Sequence, residues 1–167
     1  MSKRSLNLTV GAVIALVILG SSSLATAATP KILQFDTMVG VQGAFVGSAN
    51  PIRGINGGGL PWAIESGRGE LTTSGHLEID VTGLVLAAGT NAGNNPIATF
   101  RGLVSCLASD ASVVNVLTDP FPATTGPASA GGGNSHIEQD LVLPTTCIAP
   151  LVFVTSAGGS WFASTGR

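Results

Sequence analysis

The sequence is short of charge, of aromatic rings and of cysteine, and each shortage closes off a class of function. Asp, Glu, Lys and Arg make up 10% of the 167 residues, against about a quarter in an ordinary soluble domain. Basic residues are the scarcer sign, 7 Lys and Arg against 9 Asp and Glu, so the electrostatic footprint of a nucleic-acid or anionic-membrane binder is missing. With 2 Trp, 6 Phe and no Tyr, an aromatic-lined cleft for sugar hydrolysis by Glu65, Glu70, Glu78 and Asp80 is not expected. No G-x-S-x-G elbow offers a catalytic serine. The run Gly57-Gly58-Gly59 lacks the following Lys-Ser/Thr of a phosphate cradle and is expected only to let the backbone turn tightly. These absences predict a protein that is not an enzyme and carries no cofactor.

Export is what the N-terminus encodes. A positive start, Met1-Ser2-Lys3-Arg4, precedes an apolar run over residues 8–19, and Ala25 and Ala27 stand at −3 and −1 of a cleavage site. These are the three parts of a signal peptide. The run is too short for the roughly 20 apolar residues of a spanning helix, so residues 1–27 are expected to be removed rather than kept as an anchor. No Cys near the site offers a lipid attachment, and the short Lys-Arg start leans bacterial. The sequon Asn7-Leu8-Thr9 lies in the removed segment. Residues 28–167 are then expected to form one extracellular domain, with no stable membrane insertion. It keeps five basic residues against nine acidic ones, a net charge of −4.

In an oxidising compartment the two cysteines, Cys106 and Cys147, are expected to pair. The alternative, two thiols serving a metal or redox centre, has no CxxC spacing to support it.

Helical periodicity is absent after residue 28, and Gly or Pro interrupts almost every window. Short β-branched runs predict strands at 32–36, 39–46, 62–65, 68–72, 76–81, 84–87, 98–107, 112–117, 136–143, 151–155 and 161–163. Nine to eleven short strands with Gly, Asn and Pro turns predict an antiparallel β-sandwich, jelly-roll or Greek-key in type. The continuous run Leu151-Val152-Phe153-Val154 reads as a strand buried on both faces. Trp62 and Trp161-Phe162 are expected to close the core. Two long loops, at 47–61 and 118–135, stand out, and the second is expected to be mobile and passive.

One hairpin can be registered residue by residue. With Thr73-Ser74-Gly75 as a three-residue loop and Gly75 in the left-handed region, Leu71 faces Leu77, Glu70 faces Glu78, Gly69 faces Ile79 and Arg68 faces Asp80. All apolar side chains then share one face, which no two- or four-residue loop achieves. The segment from Gly69 to Leu84 resembles the opening hairpin of chordin-type extracellular domains. The His-x-His that follows in that family is missing here, so no function is carried over.

The only two histidines sit in matching contexts, His76-Leu77-Glu78-Ile79-Asp80 and His136-Ile137-Glu138-Gln139-Asp140. At strand spacing the polar residues of each segment share a face, and Glu70 opposite Glu78 is a like-charge pair. A divalent cation held by His76, Glu78 and Glu70, with His136 and Glu138 if their strand lies alongside, would relieve it; imidazole with carboxylates suits zinc. The alternative is a solvated polar face with Arg68 beside Asp80. The composition predicts a binding or structural module outside the cell. Self-assembly through edge strands is the second expectation, favoured by the low charge and the 31–36 segment. A metal-binding protein or hydrolase is the third. A homo-oligomer or a cell-surface partner would fit the first two.

Overall fold

The computed structural model describes residues 29–166; the predicted signal segment and its cleavage site lie outside these. The fold is an all-β antiparallel sandwich of fourteen strands. The strands are β1 (Lys31–Phe35), β2 (Val39–Gly40), β3 (Trp62–Ala63), β4 (Ser66–Thr72), β5 (His76–Thr82), β6 (Val85–Leu86) and β7 (Asn94–Asn95). They continue with β8 (Thr99–Leu107), β9 (Val113–Leu117), β10 (Phe121–Pro122), β11 (Gly126–Pro127), β12 (Ser135–Asp140), β13 (Ile148–Thr155) and β14 (Trp161–Ser164). The count exceeds the predicted range by three two-residue strands, β7, β10 and β11, too short to leave a periodic signal.

One main sheet runs β1-β4-β5-β12, the second runs β10-β8-β13-β14-β2 with β9 also on β8, and β3–β6 and β7–β11 form two short two-stranded sheets. The sheets meet through their apolar faces. Leu71, Leu77, Ile79 and Ile137 of the first sheet and Phe100, Val104, Val152 and Val154 of the second are fully buried in one core. Gly102 of β8 lies close against the first sheet: a Cβ there would stand 3.0 Å from Leu77 and 3.3 Å from Ile137. Burial of this continuous apolar surface is the main driving force for the fold.

The hairpin β4–β5 has the predicted register, Arg68 opposite Asp80 through Leu71 opposite Leu77. Gly75 takes φ +90°. Its N–H donates to Thr72 O at 3.1 Å, and the His76 N–H donates to Thr72 Oγ1 at 3.1 Å. As expected, β13 is interior, between β8 and β14, and Val152, Phe153 and Val154 are fully buried. Trp62 and Phe162 stack at 4.1 Å and close the core.

Three expectations are corrected. The 39–46 strand stops at Gly40, because Gly43 turns left-handed (φ +59°) and Gly43–Phe45 form a 3-10 turn. The 136–143 strand ends at Asp140, where the Leu141 N–H donates to Gly75 O at 2.9 Å and ties β12 to the hairpin loop. The 118–135 loop is not passive. It contributes β10 and β11, its Phe121 packs on the core, and Asn134 Oδ1 accepts the Gly83 N–H at 2.9 Å. The buried Asn95 side chain clasps it further, donating to Thr124 O at 2.9 Å.

The other long loop folds across the second sheet. Gly58 N–H donates to Trp161 O at 2.8 Å, and Arg53 reaches Ser105 O and Ala149 O at 2.7 Å each. Gly57 is required by contact, since a Cβ would lie 2.0 Å from Phe45 O. The triple glycine thus gives the backbone room against the aromatic cluster.

Cys106 and Cys147 form a disulfide that joins β8 to the segment entering β13, with Cα atoms 4.8 Å apart. No free cysteine remains among the described residues, and none of their helices is long and apolar enough to cross a membrane.

Candidate functional site

The outer face of the β1-β4-β5-β12 sheet gathers five of the nine acidic residues and both histidines. Period-2 alternation puts them there. Leu77, Ile79 and Val81 of β5 and Ile137 of β12 point to the core, so His76, Glu78 and Asp80, with His136, Glu138 and Asp140, point out.

β12 pairs antiparallel with β5, and Glu138 lies opposite Glu78. Because both segments read His-x-Glu-x-Asp, pairing them antiparallel on the central Glu brings each His opposite the Asp of the other. His136 therefore faces Asp80, and Asp140 faces His76. The His136 Nδ1–Asp80 Oδ1 and His76 Nδ1–Asp140 Oδ1 distances are both 2.8 Å. Between the imidazoles stands the Glu138 carboxylate, 3.3 Å from His136 Nε2 and 3.6 Å from His76 Nε2. Arg68 Nε closes one end at 3.4 Å from Asp80 Oδ2. The Glu70, Glu78 and Glu138 side chains form a like-charge row across three strands, answered at its outer end by Lys31, which pairs with Glu70.

These contacts shift three groups. The hydrogen bond to Asp140 raises the His76 pKa above the usual imidazole value, with the charges of Asp140, Glu138 and Glu78 adding to it. The hydrogen bond to Asp80, then that to Glu138, raises His136. The hydrogen bond from His136, supported by Arg68, lowers Asp80 below the usual carboxylate value. With both imidazoles neutral, the five carboxylates against Lys31 and Arg68 leave this face at −3.

Among the described residues, Glu78, Asp80 and His136 each offer one donor atom within 4.8 Å of the others. Of the five predicted metal residues, Glu78 and His136 belong to this group. Glu138 flanks its imidazole, His76 lies on the far side of Glu138 against Asp140, and Glu70 is engaged by Lys31. Asp80, the third member of the group, is not among the five. Its signal was the repeated motif itself, since the antiparallel pairing turns each terminal Asp toward a histidine.

No known protein-family model, curated protein or solved structure matches this chain. The site must therefore be read from its own chemistry. Beside Glu78 and Asp80 an open depression is lined by residues of β1, β4 and β5 and by Asp36, with Arg68 and Glu70 among them, so water and small solutes reach these carboxylates without any rearrangement.

Proposed function

We propose that the chain is exported, loses residues 1–27 and works outside the cell as a non-enzymatic binding module: the outer face of the β1-β4-β5-β12 sheet recognises a cationic partner. The observation that carries this reading is the concentration of five of nine carboxylates on one face of a chain otherwise poor in charge. A field of one sign on one surface attracts the opposite sign, and repels nucleic acid and anionic lipid. The depression at Glu78 and Asp80 lies open to solvent, unlike the enclosed pockets that bury most of a small substrate, which supports binding rather than catalysis. The closed Cys106–Cys147 bridge fits an oxidising compartment.

The test has two parts. N-terminal sequencing of the product secreted from a precursor-expressing bacterium should begin at Ala28; a retained Met1 refutes export by this route. The oxidised product should bind immobilised polylysine, less tightly as salt rises. Binding should be lost when Glu70→Gln, Glu78→Gln and Glu138→Gln are combined. Polylysine binding that survives this triple variant assigns recognition elsewhere.

A second reading, self-assembly into an extracellular array, is favoured by β9. This strand pairs only with β8 and leaves Val113 and Leu117 substantially exposed, a hydrophobic edge without charges to blunt it. β1 is an edge as well. Light scattering on the eluting chain decides: a monomer at high concentration removes this reading.

A further inference from the structure

We infer that the outer sheet face binds one divalent transition-metal ion of the zinc class, with Glu78, Asp80 and His136 as its protein ligands. The inference rests on the reading of this face as a binding surface and names its smallest cationic partner. Three observations converge. First, one imidazole and two carboxylates from two neighbouring strands already hold donor atoms within 4.8 Å of one another. Donors bound to one ion at about 2.0–2.2 Å in a tetrahedron stand about 3.3 Å apart. The His136 Nδ1–Asp80 Oδ1 distance is 2.8 Å, so these two donors have to part by a few tenths of an ångström and the half-buried Glu78 carboxylate has to close on them from within 4.8 Å.

Second, the opposite side of the imidazole is already supported. Glu138 Oε2 lies 3.3 Å from His136 Nε2, so that ring N–H points to a carboxylate while Nδ1 takes the ion. This is the carboxylate–histidine–metal relation that orients a ligating ring and raises its basicity. Third, the like-charge row is met at its two ends, by Lys31 on Glu70 and by the imidazoles on Glu138, and a dication beside Glu78 would answer it at the centre. The open depression next to the triad gives a hydrated ion access and leaves room for water in the remaining coordination position. An imidazole in the donor set separates this ion from calcium or magnesium, which prefer all-oxygen sites.

The roles divide accordingly. Glu78, Asp80 and His136 ligate; Glu138 positions the ring; His76 and Asp140 make a separate ion pair at the other end of the strands.

Titration calorimetry of the chelator-treated, oxidised mature chain with Zn²⁺ should show one saturable equivalent, and Ca²⁺ and Mg²⁺ should give none. In nitrogen-15 spectra the His136 ring nitrogens should shift and those of His76 should stay. His136→Asn and Asp80→Asn should each weaken binding about tenfold or more, and Glu138→Gln by a smaller factor. His76→Asn should leave it within about twofold. Thermal melts of each metal-free variant check that it is folded, and Glu78→Gln supplies an independent ligand variant. Absence of saturable Zn²⁺ binding overturns the inference, as does equal binding of Ca²⁺ or equal loss in His76→Asn. Polylysine binding that persists while Zn²⁺ fails removes the metal and leaves the binding face standing; loss of both removes both.

Discussion

Opening the disulfide isolates what one covalent link contributes to a fold otherwise held by non-covalent packing. Cys106 and Cys147 are separated by 41 positions, and in the chain-entropy model a closed loop of that size stabilises the folded state by about 4 kcal/mol. A domain of this length has a total stability of roughly 5–15 kcal/mol, so the bridge supplies a large fraction of it. At about 3–4 °C per kcal/mol for such a size, reduction should lower the melting temperature by roughly 14 °C. The native side of the balance changes less, because β8 and β13 stay hydrogen-bonded from Leu151–Ser105 to Thr155–Arg101 without the bridge. The perturbation is best made twice. Reduced wild-type protein keeps both sulfur atoms in place, whereas Cys106→Ala with Cys147→Ala also removes buried volume at Cys106, which is fully buried. Urea unfolding of the oxidised, reduced and doubly substituted chains gives stability and slope together. The expected order is oxidised, then reduced, then the double variant, with the m-value rising on reduction as the unfolded chain expands. A reduced protein less than about 1 kcal/mol weaker than the oxidised one would refute the loop-entropy argument. It would mean that the unfolded chain already keeps this loop closed.

Three further outcomes follow from particular contacts. Gly75→Ala forces a Cβ to 2.0 Å from Leu141 O at a position with φ +90°; it should cost about 1–3 kcal/mol by thermal melt, and a neutral result would contradict the loop geometry. Leu77→Ala empties a fully buried site beside Gly102 and should cost about 2–5 kcal/mol in urea unfolding; less than 1 kcal/mol would place Leu77 outside the core. In chelator-treated protein the imidazole–carboxylate pairs make stability depend on pH. His76 and His136 have folded pKa values above the ordinary 6.5, so their contribution is fully present below about 6.5 and fades as pH rises through the raised values. The Asp80 value is lowered from the ordinary 3.8, so its contribution is present above about 3.8 and fades as pH falls through the lowered value. The melting temperature should therefore peak between about pH 4 and 6.5, by only about 0.2–1 kcal/mol per pair because these groups are exposed; His76→Gln with His136→Gln should flatten the peak. A maximum above pH 8 would contradict the sign.

Much of this protein was legible in the chain alone because it is local. A three-residue loop leaves one register that segregates the apolar residues, so the partners of β4 and β5 follow from sixteen consecutive residues and the pleat. The unbroken Leu151–Val154 run reads as buried for the same reason, since a strand with no polar alternation has no face to give to water. Local propensity failed where distant contacts override it. The 39–46 run is β-branched enough for a strand, but Gly43 turns the backbone. The 118–135 segment reads as free because its anchors, Gly83, Asn95 and the start of β8, lie elsewhere in the sequence.

The candidate site divides along the same line. Alternation alone determined that His76, Glu78 and Asp80 share a face, and that His136, Glu138 and Asp140 share another. Which strand lies beside which, in what direction and at what register, was decided only in three dimensions. Sliding β12 by two residues along β5 would leave every apolar side chain facing the core, yet bring His136 opposite Glu78 or Thr82 instead of Asp80. Side-chain period cannot distinguish those pairings, because both bury the same surface. The closure of β12 onto the hairpin loop, through Leu141 and Gly75, selects one of them and so assembles the Glu78, Asp80 and His136 group.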